Sequence, residues 1–237
     1  MSTITTTAAP AGAAQIVQDY FGSPIRTLLE WVAPCAQELA GLLAAGALTR
    51  AKLDAVVEPY ALRTLDLSDA PVYGAGFIAA IDLLADARGH LAWWQGSDRR
   101  KLVLASQTVN KEHIDYSELE WFRVPMSTRL PHVAGPYVDY LCSDEYTITI
   151  AVPAITADGA QLGVAGLDLL VSEVERELTP RFAALGQQVT LVNGVGRVVV
   201  STDPRCATGD SVRGSRLAEL PRIACEGVAL DVIVESI

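Results

Sequence analysis

Two aspartates and several aromatic residues in the second half of the chain form a pattern suited to binding a cation. Asp139 follows Tyr137 at a spacing of two, and Asp168 lies near the end of an apolar segment. Carboxylates pair with a cation, and the faces of aromatic rings attract it as well. Ligand pockets are mostly apolar and carry a few polar groups that fix the ligand's orientation. The candidate ligand-binding residues are Trp121, Phe122, Tyr137, Asp139, Asp168, Tyr116, Trp94 and Arg123.

The two aspartates also have structural explanations. Asp139 could simply accept hydrogen bonds from strand or loop amides. Asp168 lies between Leu167 and Leu169, and in a strand it must face away from both, either into a pocket or into solvent.

The aromatic residues have such explanations too. Trp121 and Phe122 could be ordinary core residues. Trp93 and Trp94 would point to opposite faces of a strand, so at most one of the two can enter a pocket.

Few residues could perform catalysis. Cys142 with His132 or His113 is the only pairing of a nucleophile with a base that stands out, and nothing in the sequence fixes its geometry. Motifs of serine hydrolases, zinc proteases and phosphate-binding loops are missing from the sequence. The four cysteines and three histidines lack the short paired spacings of a zinc site. We therefore expect no enzymatic activity, no cofactor and no metal.

The composition indicates a packed globular protein. Half of the 237 residues are hydrophobic, and the formal net charge is −10. Because phosphate binding needs clustered lysine and arginine, we expect no direct contact with nucleic acid or with an anionic membrane. Residues 1–14 lack the basic start and apolar core of a secretory signal, so we expect a disordered tail. The apolar segment near 28–48 is interrupted by charged residues and proline, which makes a membrane span a poor explanation. We expect a cytoplasmic protein.

The strongest secondary-structure signal runs from Gly135 to Leu170. Residues 136–141, 146–153 and 162–169 alternate or concentrate β-branched and aromatic side chains, as antiparallel strands do. A polar turn separates the first two segments, and Asp158-Gly159 is typical of a tight hairpin turn between the others.

This region resembles the second half of Cache domains, which are PAS-like (PDC) ligand-sensing domains. The resemblance is carried by the segments PYVD, TITIAVP, the Asp-Gly turn and GVAGLDLL, and it extends over about residues 20–205. It implies an α+β fold in which a long N-terminal helix packs on a PAS-like antiparallel β-sheet, followed by a short C-terminal β extension. It also implies that the protein senses a small molecule.

The resemblance assigns roles to individual residues. Amino-acid-sensing members carry an arginine two residues before a Trp-Tyr pair, then Tyr-x-Asp, then an aspartate that closes the last strand. Trp121 and Phe122 match the aromatic pair, while Tyr137, Asp139 and Asp168 match the later motifs. In the family, the aspartates and aromatic residues hold the ligand's ammonium group and the arginine holds its carboxylate.

The arginine position of that motif is occupied by Leu119 in this chain. Burying a carboxylate without an arginine or lysine is costly, so the residues favour an amine over an α-amino acid. Arg123 would restore a clamp for a carboxylate if the loop turned it inward. Flat heteroaromatic ligands would also suit stacked rings and one aspartate.

The N-terminal part of the chain is predicted to be helical and then to enter the sheet. The sequence predicts a helix restarting at Ser23-Pro24 after a break at Gly22, and a second helix over 50–65 capped by Thr49. Strands are predicted over 72–84, 90–95 and 101–105. Residues 107–129 form the least regular segment, with a short helix over 116–122.

The C-terminal part is predicted to begin with a helix and end in strands. Ser172 and Glu175 fit a capping box for a helix that ends near 185–186. A strand–turn–strand unit over 189–202 and a last strand over 228–234 follow. We divide the chain into a tail (1–14), a sensor domain (15–186) and a β extension (187–237) that is a partial second lobe or completes the sheet.

Three functions fit these observations. The first is a non-enzymatic sensor that binds a small amine, amino acid or similar ligand and signals through a homodimer formed by the N-terminal helix or through a regulator or signalling protein. The second is a ligand-free dimerisation module for a transcriptional regulator. The third is a small enzyme that uses Cys142 or a histidine.

Overall fold

The N-terminal helix begins earlier than the sequence predicts and continues through Gly22 and Pro24. The computed structural model describes residues 8–68, 70–103 and 115–236, and helix α1 covers Ala8–Ala44. The predicted break at Gly22 is therefore wrong. Residues 8–14 of the predicted tail are helical, and 1–7 lie outside the described residues.

The buried stripe of α1 explains why the helix does not break. Pro24 removes one backbone hydrogen bond, but apolar residues at three-four spacing continue on both sides of it, and their burial offsets that loss. The fully buried members of the stripe are Ala13, Val17, Phe21, Leu28, Cys35 and Leu39. Helix α2, Arg50–Leu65, forms as predicted, with the Thr49 side chain accepting a hydrogen bond from the Lys52 N–H.

Six antiparallel strands form the main sheet. Its strands are β1 (Val72–Ala79), β2 (Leu91–Gln95), β3 (Arg100–Lys101), β4 (His132–Val138), β5 (Tyr146–Ile155) and β6 (Gln161–Leu170). They lie in the order β3-β2-β1-β6-β5-β4. The strands predicted over 146–153 and 162–169 are confirmed as β5 and β6, and Gly159 in the hairpin turn has a φ of +87°. The strand predicted over 136–141 overlaps β4 only at 136–138, because β4 begins at His132 and 140–141 belong to the following turn.

Several predicted boundaries differ from the structure. Strand β1 ends at Ala79 and not at 84. Of the strand predicted over 101–105, Lys101 is in β3, and 104–105 lie outside the described residues. In the irregular segment a short 3-10 helix, Tyr116–Glu118, precedes helix α3, Glu120–Thr128, and 107–114 lie outside the described residues.

Strand β6 leads directly into helix α4, Val171–Ala183, and the predicted capping box is not formed. Leu170 occupies the N-cap position and makes no side-chain cap. Because the helix starts before Ser172, this serine lies inside the first turn. The Glu175 carboxylate instead accepts a hydrogen bond from Thr208 Oγ1.

The C-terminal region forms a second antiparallel sheet of its own. Its strands are β7 (Gln188–Asn193), β8 (Val198–Ser201), β9 (Arg222–Cys225) and β10 (Leu230–Glu235), in the order β8-β7-β10-β9. The predicted extension therefore does not complete the first sheet. Helix α1 contacts both sheets, through β5 and β6 of the first and β9 and β10 of the second.

The two faces of the six-stranded sheet pack differently. One face contributes Phe77, Ile150 and Leu167 to the large core shared with α1 and α2. The opposite face contributes Ile78 and Val164 to a smaller cluster covered by α3. None of the helices in the described parts of the chain combines the length and hydrophobicity that crossing a membrane requires.

Candidate functional site

A small cavity lies between the α3-covered face of the sheet and the turn that joins β4 to β5. Its volume is about 20 Å³, and a cavity needs roughly 10–15 Å³ to hold one water molecule. Both predicted aspartates line it, and the nine lining residues include no arginine or lysine from the described part of the chain. The lining residues are Ile78, Leu91, Trp93, Trp121, Tyr137, Asp139, Cys142, Thr149 and Asp168.

A chain of hydrogen bonds ends on Asp168. Thr149 Oγ1 donates to Asp168 Oδ1 at 2.5 Å, and the Tyr137 hydroxyl is hydrogen-bonded to Thr149 Oγ1. A threonine hydroxyl carries a single proton. Since that proton points to Asp168, the Tyr137 hydroxyl is the donor to Thr149. Asp168 is thus held by its strand neighbour and is 3% exposed.

The environment of Asp168 favours its neutral form. Burial raises the pKa of Asp168 well above its usual range, and the negative charge of Asp139 raises it further. The hydrogen bond from Thr149 opposes part of this shift. Burial and the charge of Asp168 likewise raise the pKa of Tyr137, so the phenol remains protonated.

Asp139 combines a structural role with its position at the cavity. Its Oδ1 accepts hydrogen bonds from the backbone N–H groups of Leu141 at 3.1 Å and Cys142 at 3.2 Å. Ser143 Oγ donates to its Oδ2 at 3.4 Å. Asp139 therefore orders the β4–β5 turn by accepting hydrogen bonds from loop amides, which is the structural role considered for it above. It also lines the cavity.

Trp121 covers the cavity, and two predicted residues lie behind it. Its ring stacks on Tyr116 with 6.3 Å between ring centroids and meets Phe122 edge-on at 6.1 Å. The Tyr116 hydroxyl donates to the Ala79 carbonyl at 2.7 Å and accepts from the His90 N–H at 3.2 Å. Tyr116 and Phe122 thus support Trp121 and do not themselves line the cavity.

The expectation for Trp94 is corrected by the structure. Trp93 and Trp94 are adjacent in β2 and point to opposite faces, as strand geometry requires. Trp94 packs in the large core, on the face of the sheet that α1 and α2 cover. Trp93 lines the cavity on the opposite face. Strand alternation predicts that only one enters the site, but which one depends on where α1 and α2 lie.

The structure also places the candidate carboxylate clamp outside the cavity. Arg123 is exposed on α3 and is not among the residues that line the cavity. Leu119, at the family's arginine position, precedes α3 and lines a groove outside the cavity.

A bulge in β4 aims Tyr137 toward the cavity. The register with β5 shifts between Ala134 and Tyr137, and such bulges re-aim side chains. Gly135 within it has a φ of +109°, and a Cβ there would lie 2.7 Å from the Thr147 carbonyl oxygen, so this position requires glycine. The Gly135 carbonyl accepts a 2.6 Å hydrogen bond from Asn193 Nδ2 of the second sheet.

A larger groove adjoins the cavity on the outside. Its volume is about 480 Å³, within the roughly 300–1,000 Å³ of small-molecule sites. Trp121, Tyr137 and Asp139 line both spaces, so these side chains separate the groove from Asp168. Arg197 also lines the groove, and its guanidinium donates to the Gly209 carbonyl at 3.0 Å.

The candidate catalytic pair is not assembled around the cavity. Cys142 lines the cavity, but His132 does not, and the His132 ring is hydrogen-bonded to Glu120 Oε1 at 2.9 Å. His113 lies outside the described residues. The described residues contain no group of three or more side chains that could hold a metal ion.

Thr149 and two apolar residues of the cavity wall were not among the predicted site residues, and Cys142 was predicted only as a possible nucleophile. Thr149 carried a signal, because it lies in the alternating strand on the face opposite to Ile148 and Ile150. The apolar lining residues Ile78 and Leu91 resemble any buried strand residue and carried none.

We expect the Thr149 hydroxyl to stabilise the protein. Thr149→Val leaves the Tyr137 hydroxyl and Asp168 Oδ1 without their shared partner, and it should lower the free energy of unfolding by about 1–2 kcal/mol. Urea titration measures this change. Thr149→Ser keeps the hydroxyl and should lose less than half as much. Equal losses in both variants would contradict a role for the hydrogen bond.

Comparison with known proteins identifies the fold. Neither a family model nor any curated protein matches this chain. Several solved structures, however, are similar to it over most of its length. The ligand-binding domain of the Pseudomonas fluorescens chemoreceptor CtaA in complex with L-valine has a TM-score of 0.59 and 16% identity, and the match covers 95% of this chain and 92% of that one.

Two Pseudomonas aeruginosa amino acid chemoreceptors have similar ligand-binding domains. PctB in complex with L-Gln has a TM-score of 0.60 and 17% identity, and the match covers 95% of this chain and 86% of that one. PctC in complex with GABA has a TM-score of 0.51 and 14% identity over 96% of each chain. These are domains of the Cache (PDC) type. The chain therefore has the Cache-type fold that its central strands predicted.

Proposed function

We propose that this chain is a sensor domain that binds a small amine or amino-acid-like ligand. The observation that carries the proposal is the pairing of two buried carboxyl groups, Asp139 and Asp168, in a cavity without a lining arginine or lysine among the described residues. A buried acid without a cation is unfavourable, and an ammonium group would compensate it. The rings of Trp93, Trp121 and Tyr137 would add attraction for the cation.

The similar structures support this choice of ligand. L-valine, L-Gln and GABA, bound in CtaA, PctB and PctC, all contain an amino group. Within that class, Leu119 at the family's arginine position and the exposed side chain of Arg123 favour an amine. If the ligand has a carboxylate, Arg197 in the adjoining groove is the basic group available to it.

Binding requires the cavity to open toward the groove. A space of about 20 Å³ accommodates little more than a water molecule, so the ligand must displace Trp121 or Tyr137 and extend into the groove. The ligand then stabilises the open arrangement, which is a shift in population between two conformations.

The signal would leave the site through β6. Asp168 faces the cavity, whereas its neighbours Leu167 and Leu169 are fully buried in the core shared with α1. A shift of β6 therefore changes the surface on which α1 packs. The output passes to a second copy through α1 or to a regulatory protein. The exposed side chains of Leu29 and Leu43 on α1 support such a contact.

Thermal unfolding in a panel of amines, amino acids and purines tests the proposal. A ligand present at 100 times its Kd adds about 2.7 kcal/mol of stability, which for a chain of this length raises Tm by roughly 5–10 °C. We expect primary amines to do so, and Asp139→Asn to reduce the shift while its Oδ1 preserves the turn. If no compound raises Tm, the proposal fails.

A second candidate function follows from the tight closure of the cavity. Trp121 is 7% exposed, and a filled interior favours a dimerisation module that binds no ligand. Light scattering separates the two functions, because such a module forms a stable dimer that no compound affects. An enzyme is disfavoured, since the described residues do not bring Cys142 and His132 together at the cavity.

A further inference from the structure

The indole of Trp93 lies across the glycines of two neighbouring strands. A Cβ at Gly74 of β1 would lie 2.7 Å from Trp93 Nε1, and a Cβ at Gly166 of β6 would lie 3.4 Å from Trp93 Cζ3. The ring therefore extends from β2 over β1 to β6, directly on the backbone. Any side chain at Gly74 would lift it.

This position brings the ring next to the carboxyl that would bind the ligand. Gly74 is paired with Asp168 across the β1–β6 ladder. Gly166 precedes Asp168 by two residues, and therefore lies on the same face. The ring and Asp168 both line the cavity, whose remaining volume is about 20 Å³. The space beside Asp168 is thus limited by Trp93, whereas the groove beyond Trp121 and Tyr137 is wide.

We propose that Trp93 is a specificity-determining residue that limits the bulk next to the ligand's ammonium group. This inference rests on the proposed function. The site would accept a primary amine whose first carbon is unbranched, with the rest of the ligand extending into the groove. It would reject amines branched at that carbon, a class that includes the common α-amino acids other than glycine.

Two isomeric amines test this inference at equal size and hydrophobicity. Propylamine carries its ammonium on an unbranched carbon and isopropylamine on a branched one. By isothermal titration calorimetry at neutral pH, we expect the unchanged protein to bind propylamine at least tenfold more tightly. Trp93→Ala should reduce this ratio to threefold or less by strengthening the binding of isopropylamine.

Further variants keep the test independent of folding defects. Trp93→Phe removes less volume and should give an intermediate ratio if the alanine variant fails to fold. Gly74→Ala should press the ring toward the cavity and weaken the binding of both amines. Trp94→Phe, on the opposite face, should leave the ratio unchanged.

The outcomes separate this inference from the proposed function. Equal binding of both amines by the unchanged protein overturns the size limit and leaves the amine site intact. A tenfold preference that persists in the alanine and phenylalanine variants of Trp93 also overturns it. Binding of neither amine by any of these proteins overturns the inference, and the thermal unfolding panel then decides separately whether the proposed function fails as well.

Discussion

Asp168→Asn is expected to weaken amine binding strongly and, at neutral pH, to make the ligand-free protein more stable. The side chain is buried and hydrogen-bonded to Thr149, and asparagine has nearly the same shape. The substitution removes the charge that would pair with the ammonium group, so affinity is lost. It also removes a buried acid that lies near Asp139, so the free energy of unfolding of the ligand-free protein should rise.

The expected size of both effects follows from the burial of the carboxyl. Removing one partner of a buried, hydrogen-bonded charge pair costs about 2–5 kcal/mol of binding, so affinity should fall at least about 30-fold. Removing an acid whose pKa is higher in the folded protein than in the unfolded chain should raise the free energy of unfolding by about 1–2 kcal/mol at neutral pH. Calorimetric titration with propylamine measures the first effect and urea titration of the ligand-free protein measures the second.

Asp139→Asn is the matched control for this substitution. Its Oδ1 can still accept the N–H groups of Leu141 and Cys142, so the turn is preserved while one negative charge is lost. We expect weaker binding than in the unchanged protein but a smaller loss than in Asp168→Asn. If Asp168→Asn binds propylamine normally, the ammonium does not bind at Asp168, and the proposed function loses its main support.

The central strands could be predicted because the alternation of residue types within each segment is enough to identify a strand. Alternation in β5 and β6 separates the residues that face α1 and α2 from those that face the cavity. It places Asp168 on the face opposite to Leu167 and Leu169. The glycine of the hairpin turn marks the reversal between them. These features depend on neighbours in sequence, and the structure agrees with them.

The pairing of Thr149 with Asp168 was not predictable in the same way. Ile155 pairs with Gln161 next to the hairpin, and constant counting from there would pair Thr149 with Leu167. An irregularity between Ala154 and Ile155 shifts the register by one residue and pairs Thr149 with Asp168 instead. A single-residue shift exchanges the faces of the partner strand, so the site's hydrogen bond depends on a bulge that composition does not reveal.

The structure also overrides local signals in helices α1 and α4. Gly22 and Pro24 are strong breakers in isolation, yet α1 continues through them because its buried stripe meets two sheets. Ser172 fits a cap, yet α4 starts before it because β6 runs straight into the helix. For α1 the deciding contacts are distant in sequence, whereas for α4 the preceding strand sets where the helix begins.

The affinity for amines is expected to rise with pH until Asp168 is ionised in the ligand-free protein. A primary ammonium stays charged between pH 5 and 8 and pairs with the ionised carboxyl. Because burial and Asp139 raise the pKa of Asp168, binding below that pKa must first release a proton. Affinity should then increase up to tenfold per pH unit and level off above the pKa.

The same shift should make the ligand-free protein less stable as pH rises. Between the pKa of Asp168 in the unfolded chain and its higher pKa in the folded protein, the folded state holds a proton that the unfolded state has lost. The free energy of unfolding therefore falls with pH across that window. Asp168→Asn should remove this contribution, so its stability advantage over the unchanged protein should grow as pH rises from about 4.

Thr149→Val tests the pH dependence of amine affinity independently of Asp168→Asn. The hydrogen bond from Thr149 lowers the pKa of Asp168, so its removal should raise that pKa further and move the levelling of affinity to higher pH. Titrations in buffers of different ionisation enthalpy count the proton released on binding, and Asp168→Asn should release none through this site. An affinity for amines that does not change between pH 5 and 8, with no proton released at any of these values, would mean that Asp168 is already ionised in the ligand-free cavity. The carboxyl would then be charged before the amine binds. In that case, burial of Asp168 would not explain why the site prefers a cation.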